Sequence, residues 1–333
     1  MRPIPFTIII LLLCVHAAQA DHASASFETV AAGAIMTTPG ATLPKGKLVV
    51  GMSVQSIELD DISNEVLESA GAADDDVHSV DSLMIVYANL AYGLTDYLTV
   101  GLSVLYVDRS NIREAHNDMG VGEVELAGDS SGIGDLNLFG QYRFHQSEKQ
   151  DAAIFIGIKT STGETGVREI EGGLFEAEQQ PGSGSWDPLV GVAYNRSLGK
   201  IGFSGNVLYT FVTEGSQKTD LGDIFNYNLA VSYRTTIPKG GHDHHHHQHQ
   251  AAIFDYIDLV IELNGDTRQR VNIDGESEEH TGGHTLYLSP GMRIGLGHNM
   301  SLFTSVGVPI VNDLNGIQSE PDYRIIGGMS ITF

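Results

Sequence analysis

After Cys14 the 333-residue sequence contains no cysteine, so the rest of the chain has neither a disulfide framework nor a thiolate metal site. Basic residues are scarce as well. Eighteen Lys and Arg stand against 42 Asp and Glu, a net charge of −24, which cannot neutralise a run of phosphates and excludes a nucleic-acid partner. Past residue 20 no apolar run approaches the roughly 18 residues of a spanning helix. The motifs of common enzymes are missing too: there is no G-x-S-x-G elbow, P-loop or H-E-x-x-H. His116 with Asp118, and Ser130-Ser131, come nearest to a catalytic rim. Any polar loop supplies such residues, so no catalytic residue is expected. Hydrophobic residues still make up 41% of the chain, too many for a disordered one.

What the sequence does hold begins with an export signal. Arg2, the apolar residues 8–15 and Ala17-Ala18-Gln19-Ala20 form the three parts of a secretory signal over residues 1–20, with cleavage expected after Ala20. A lipoprotein signal at Cys14 fits less well, because Leu13 is too large for the position before a lipidated cysteine. An exported chain without a spanning helix either stays soluble or crosses a membrane as a closed barrel.

The repeated period of two favours the barrel. Leu48, Val50, Met52 and Val54 alternate with Val49, Gly51, Ser53 and Gln55, and Leu98, Val100, Leu102 and Val104 alternate in the same way. Phe225, Tyr227, Leu229, Val231 and Tyr233 oppose Asn226, Asn228, Ser232 and Arg234. Segments of about ten residues with one apolar face are the signature of transmembrane strands. Aromatics gather at segment ends, with Tyr92, Tyr97, Tyr142, Phe144 and Trp186 placed as interfacial girdles would be. Short connections (94–96, 145–151, 197–200) alternate with long ones (59–82, 109–133, 162–185). The chain closes on Phe333, with Ile331, Met329, Ile325 and Tyr323 on one face, the form of strand that barrel-assembly machinery reads.

The expected fold is therefore all-β, an antiparallel transmembrane barrel of about twelve strands over residues 46–333 with long acidic extracellular loops. The strands are placed at 47–57, 83–93, 97–108, 134–144, 152–161, 186–196, 201–213, 225–236, 252–263, 285–296, 300–310 and 322–333. Residues 21–45 are read as a lead-in or a short plug, since the small apolar stretch 30–36 could thread a lumen.

Parity assigns side chains to the lumen. Arg143, Lys159, Arg234, Asp258, Glu262, Arg293 and Arg324 point inward, as do Asp135 and Asp187, because charges facing lipid would each cost a few kcal/mol. Arg143, Arg234 and Arg293 could form a basic constriction. The stronger expectation is that they pair with Asp258, Glu262 and neighbours to fill a narrow barrel. The acidic loops, from Glu58 to Asp81 and from Glu164 to Glu178, are read first as solvated, disordered segments. Divalent cations bridging them to lipopolysaccharide are the second reading.

The tract His242, His244, His245, His246, His247 and His249 occupies a turn at 240–250. Imidazoles at that density suit Zn or Cu. No cofactor is required, and the tract is either a polar connector or a metal-handling element.

Two blocks go beyond a generic barrel. Residues 131–144 (SGIGDLNLFGQYRF) and 181–194 (PGSGSWDPLVGVAY) resemble elements of the meta-pathway phenol-degradation family of outer-membrane proteins. The resemblance covers about 28 residues. It implies passage of aromatic or other poorly soluble compounds through an outer membrane and carries over no binding residue. The glycines suit a bend at the rim, and Trp186 suits an interfacial anchor. Together these readings give a monomeric outer-membrane channel or transporter, exported by a cleaved signal and assembled through its last strand. Its contacts are with lipid, lipopolysaccharide and a small solute. A metal-gated barrel using the His tract and a packed structural or adhesive barrel are the alternatives.

Overall fold

The computed structural model describes residues 34–236, 254–297 and 299–333. Thirteen strands build the wall: β1 Leu48–Leu59, β2 Ser82–Thr95, β3 Leu98–Asp118, β4 Val121–Ile133, β5 Asn137–Gln146, β6 Gln150–Lys159, β7 Asp187–Leu198, β8 Ile201–Thr210, β9 Ile224–Thr236, β10 Phe254–Arg268, β11 Gly283–Leu296, β12 Met300–Leu314 and β13 Pro321–Thr332. Strands β4 and β5 form one stave, so the barrel has twelve. Each stave pairs antiparallel with its neighbours, and β1 closes the ring on β13 from Val49–Thr332 to Leu59–Pro321. Closure leaves no unpaired edge, which a bilayer requires of a sheet.

Sequence alternation becomes facing. In β1, Val50, Met52 and Val54 are exposed outward while Ser53 and Gln55 are buried inward; in β10, Leu259 and Ile261 face out and Asp258, Val260 and Glu262 face in. Exposed aromatics form two belts. Tyr92, Tyr97, Tyr142, Phe144, Tyr194 and Tyr233 lie toward the rim of short turns, and Tyr106, Trp186, Phe211, Phe225 and Tyr323 toward the other. Phe225 and Tyr233, both on β9, are separated by about 21 Å along the barrel axis at ordinary strand rise and tilt, close to the apolar height of such barrels.

Expected and observed strands agree within a few residues at most ends, and the main correction concerns the loops. Residues 109–133 are no open loop. β3 runs to Asp118, and β4 returns along it in register from Val121 to Ile133. The stave continues as β5 past a bulge. Tyr106 faces Ile133 and Ser103 faces Asn137, so one residue is gained around Gly134. Nor are residues 59–82 a disordered loop, because they contain α1 Asn64–Ala73. Ser63 caps α1 by accepting the Val66 N–H, and Asp74 ends it in the left-handed region (φ 64°). Leu67 and Ala70 of α1 pack with Ile62 and Val77 against Ala115 and Val124 of the β3–β4 hairpin. A second cluster joins Val80, Ile112 and Ala127 to Phe175 of the 160–186 connection. The acidic segments thus fold into a cap with its own apolar cores.

Candidate functional site

Inside the barrel, residues 34–40 are all buried and cross the lumen as a strap. Glu262 on β10 anchors it: its carboxylate accepts the backbone N–H groups of Ile35 (3.1 Å), Met36 (3.0 Å) and Thr37 (3.0 Å). Consecutive N–H groups curled round one carboxylate make an anion nest, and charge-assisted bonds are the strong kind. Arg293 on β11 donates to the Ala34 carbonyl (2.7 Å), and Ile35 and Met36 pack on Val260, Phe303 and Ile326. Farther across, Asn206 on β8 accepts the Thr38 N–H (2.8 Å) and Gln141 on β5 donates to the Pro39 carbonyl (2.8 Å). At Gly40 a Cβ would lie 2.6 Å from the Asp151 carbonyl oxygen and 2.9 Å from that of Ala193, so the chain can pass the wall there only as glycine. The Leu43 N–H bonds Thr99 on β3, and the strap then turns into β1.

Two cavities lie inside the barrel, and the lower one borders the strap at Met36 and Thr38. The lower, about 40 Å³, is lined by Asn206, Asn264, Tyr287 and Arg324 on one side and by Met36, Phe155 and Leu208 on the other. The upper, about 70 Å³, joins Asp135, Lys159, Asp187 and Arg268 to Leu105, Val107 and Leu189. Phe155, Leu189 and Leu208 belong to one apolar cluster that runs between the two. Each cavity therefore has a polar and an apolar wall. Both are far below the volume of an ordinary ligand site.

The two blocks that carry the family resemblance supply part of the upper cavity, with Asp135 and Asn137 from one and Pro181, Gly182, Ser183, Asp187 and Leu189 from the other. Asp135 accepts the N–H groups of Gly163 (2.8 Å) and Ser183 (2.9 Å) and the Ser183 hydroxyl (2.7 Å). Lys159 bridges it (3.5 Å) to Asp187 (2.6 Å). Backbone must approach backbone here, since a Cβ on Gly163 would stand 2.6 Å from the Gly182 Cα. Gly163 and Gly182 thus bring loop 160–186 down onto the stave break at Gly134.

The inward charges read from parity are placed as follows. Arg143 pairs with Asp151 at 3.2 Å, and Arg234 pairs with Asp258 at 2.6 Å. Asp258 also sits opposite Arg293 in the β10–β11 register, so these three form one row. Arg324 donates to Asn264 (3.0 Å) and lies 4.0 Å over the Tyr287 ring. Arg143 stands apart from the Arg234–Asp258–Arg293 row, and each arginine has its own partners, so the arrangement is a set of local networks rather than a basic ring. The tract His242 to His249 lies outside the described residues, and β9 ends and β10 begins at the rim of short turns. Ser130 spends its hydroxyl on the Gln179 carbonyl (2.7 Å) while His116 is exposed on the hairpin, so these two make no catalytic constellation.

One group escaped the sequence reading. In the cap, Asp76, His78, Glu114, Glu176 and Glu178 converge. Burial alone would lower the His78 pKa, but Glu176, Asp76, Glu114 and Glu178 outweigh it and raise it to about 9. Burial pushes the Glu176 carboxyl up to about 7 against the pull of His78, and burial likewise raises Glu114. The sequence held one signal, since Asp76/His78 and Glu176/Glu178 are both i, i+2 pairs that extended backbone puts on one face.

Fold and lumen define a class: a closed twelve-stave barrel with a lipid-type exterior, a strapped lumen and an ordered cap. No family model matches the chain, and no curated protein matches it. Among solved structures, "CymD monoaromatic hydrocarbon channel" is similar at 12% identity and a TM-score of 0.42, covering 87% of this chain and 88% of that one. The "Ralstonia pickettii toluene transporter TbuX" is similar at 10% identity and 0.39, covering 87% and 90%. "LpxR from Salmonella typhimurium" is similar at 10% identity and 0.41, covering 86% and 100%. At these scores the likenesses carry no argument about what this chain does.

Proposed function

We propose that this chain is a non-catalytic outer-membrane channel, closed at rest by residues 34–40, that passes a small solute with an apolar body and a polar group. The strap carries the reading: a packed structural barrel has no need of a separate segment held across its axis by one carboxylate and a few side chains. A buried strand of the wall is fixed by a full ladder on each side, whereas the strap leans on Glu262, Arg293, Asn206 and Gln141. Such a segment can leave while the ladder stays closed. The two-sided cavities favour an amphipathic solute, and the resemblance of residues 131–144 and 181–194 to the phenol-degradation family favours an aromatic one. Export by residues 1–20, assembly through the strand ending at Phe333, and life as a monomer among lipid and lipopolysaccharide belong to the same proposal.

Uptake into proteoliposomes tests it, with phenol and a sugar of similar size as paired probes. The full chain is expected to pass phenol slowly. A chain lacking residues 21–40 is expected to pass both rapidly. Equal exclusion of both solutes by both proteins would sink the channel reading and leave the packed barrel.

A further inference from the structure

His78 lies in the short strand His78–Ser79, which pairs with Arg113 and Glu114 of β3. Asp76 precedes it on the same extended face, and Glu176 and Glu178 arrive from the 160–186 connection. Three separate segments of the cap therefore meet at one imidazole. Its Nε2 is 3.4 Å from Asp76 Oδ1, 3.7 Å from Glu114 Oε1 and 3.8 Å from Glu176 Oε2. These separations exceed hydrogen-bond length. Among the described residues the ring, with 10% of its side chain exposed, makes no hydrogen bond. Glu114 Oε1 is likewise buried with no hydrogen-bond partner.

The spacing suits a different kind of bond. Ligands about 2.1 Å from a tetrahedral ion stand about 3.4 Å from one another. The ligand atoms of Asp76, His78 and Glu176 all lie within 4.8 Å of each other, which small side-chain rotations would close. Charge points the same way. Among the described residues no Lys or Arg forms an ion pair with Asp76, Glu114 or Glu176, and with Glu178 four carboxylates face one imidazole.

We propose that Asp76, His78 and Glu176, with Glu114 as fourth ligand, bind a divalent transition-metal ion of the zinc type. One imidazole with carboxylate oxygens suits Zn²⁺, whereas Ca²⁺ takes oxygen ligands alone and Cu²⁺ prefers a planar nitrogen-rich set. The ion would pin the α1 segment, the β3–β4 hairpin and the 160–186 connection to one another. The site uses no residue of the His tract and none of the strap.

The test uses the full chain with His242, His244, His245, His246, His247 and His249 replaced by Asn, which removes the competing imidazoles. Zinc titrated calorimetrically should bind at one equivalent. His78→Asn and Glu176→Gln should each weaken binding at least tenfold, with the barrel still migrating as folded in unheated gels. Zinc should also slow hydrogen exchange at residues 74–79 and 174–178 in the parent and not in Glu176→Gln. Absence of saturable zinc binding would overturn the proposal, and so would binding indifferent to both substitutions. Calcium binding of equal strength that ignores His78→Asn would overturn the transition-metal assignment. If His78→Asn does not fold, Glu176→Gln and the exchange data decide alone.

Discussion

Glu262 shows how much one buried carboxylate can organise. It sits on a barrel stave with 1% exposure, where an unpaired charge would be costly, and the N–H groups of residues 35–37 supply its partners. Glu262→Gln keeps the shape, removes the charge and turns half of the acceptor into a donor. The expected loss is about 2–3 kcal/mol of strap closure, about a 30- to 150-fold rise in the open fraction, read as open probability in planar bilayers. Asp135 plays the matching part at the other end of the lumen. Asp135→Ala would leave the Gly163 and Ser183 N–H groups without their acceptor while Lys159 keeps Asp187, at a cost of about 2–4 kcal/mol. The expected readout is faster proteolysis within residues 160–186 while the barrel still resists heat.

At the scale of elements, the staves were legible and the cap was not, for one physical reason. A strand between lipid and lumen must alternate, so Val50, Met52 and Val54, or Phe225, Leu229 and Val231, announce themselves. Above Tyr106 the hairpin leaves the lipid. There Arg113 and Glu114 point to opposite faces with no apolar side between them, and residues 109–133 read as a loop. Helix α1 was hidden by its length. Ten residues do not hold a helix alone in water, and packing on the hairpin supplies what propensity does not. Leu67, fully buried in that contact, is the test. Leu67→Ala should cost about 3–5 kcal/mol locally and speed hydrogen exchange across residues 64–73 without touching the staves. The cap's carboxylate–histidine group was illegible because its members come from three segments that only the folded cap joins.

For the molecule as a whole, an acidic cap, an apolar belt and a polar, strapped lumen divide the chain's charge by height. That division predicts where charge is tolerated. Ile261 is 58% exposed on the belt, next to the buried Glu262, and Ile261→Arg should cost about 2–4 kcal/mol of folding free energy in lipid vesicles. The same substitution on the solvent side of the cap, as at Val121 (61% exposed), should cost almost nothing, and urea titration in vesicles compares the two. The partners of the inward charges were not legible in the sequence, because Arg293 finds Ala34 and Glu262 finds Ile35 across more than two hundred residues.

The central claim is that the wall is a pore and residues 34–40 close it. Single-channel recording in a planar bilayer, comparing the full chain with one lacking residues 21–40, tests it most directly. The account predicts rare brief openings from the full chain and steady ohmic conductance from the shortened one. A shortened barrel that folds and stays silent would contradict it.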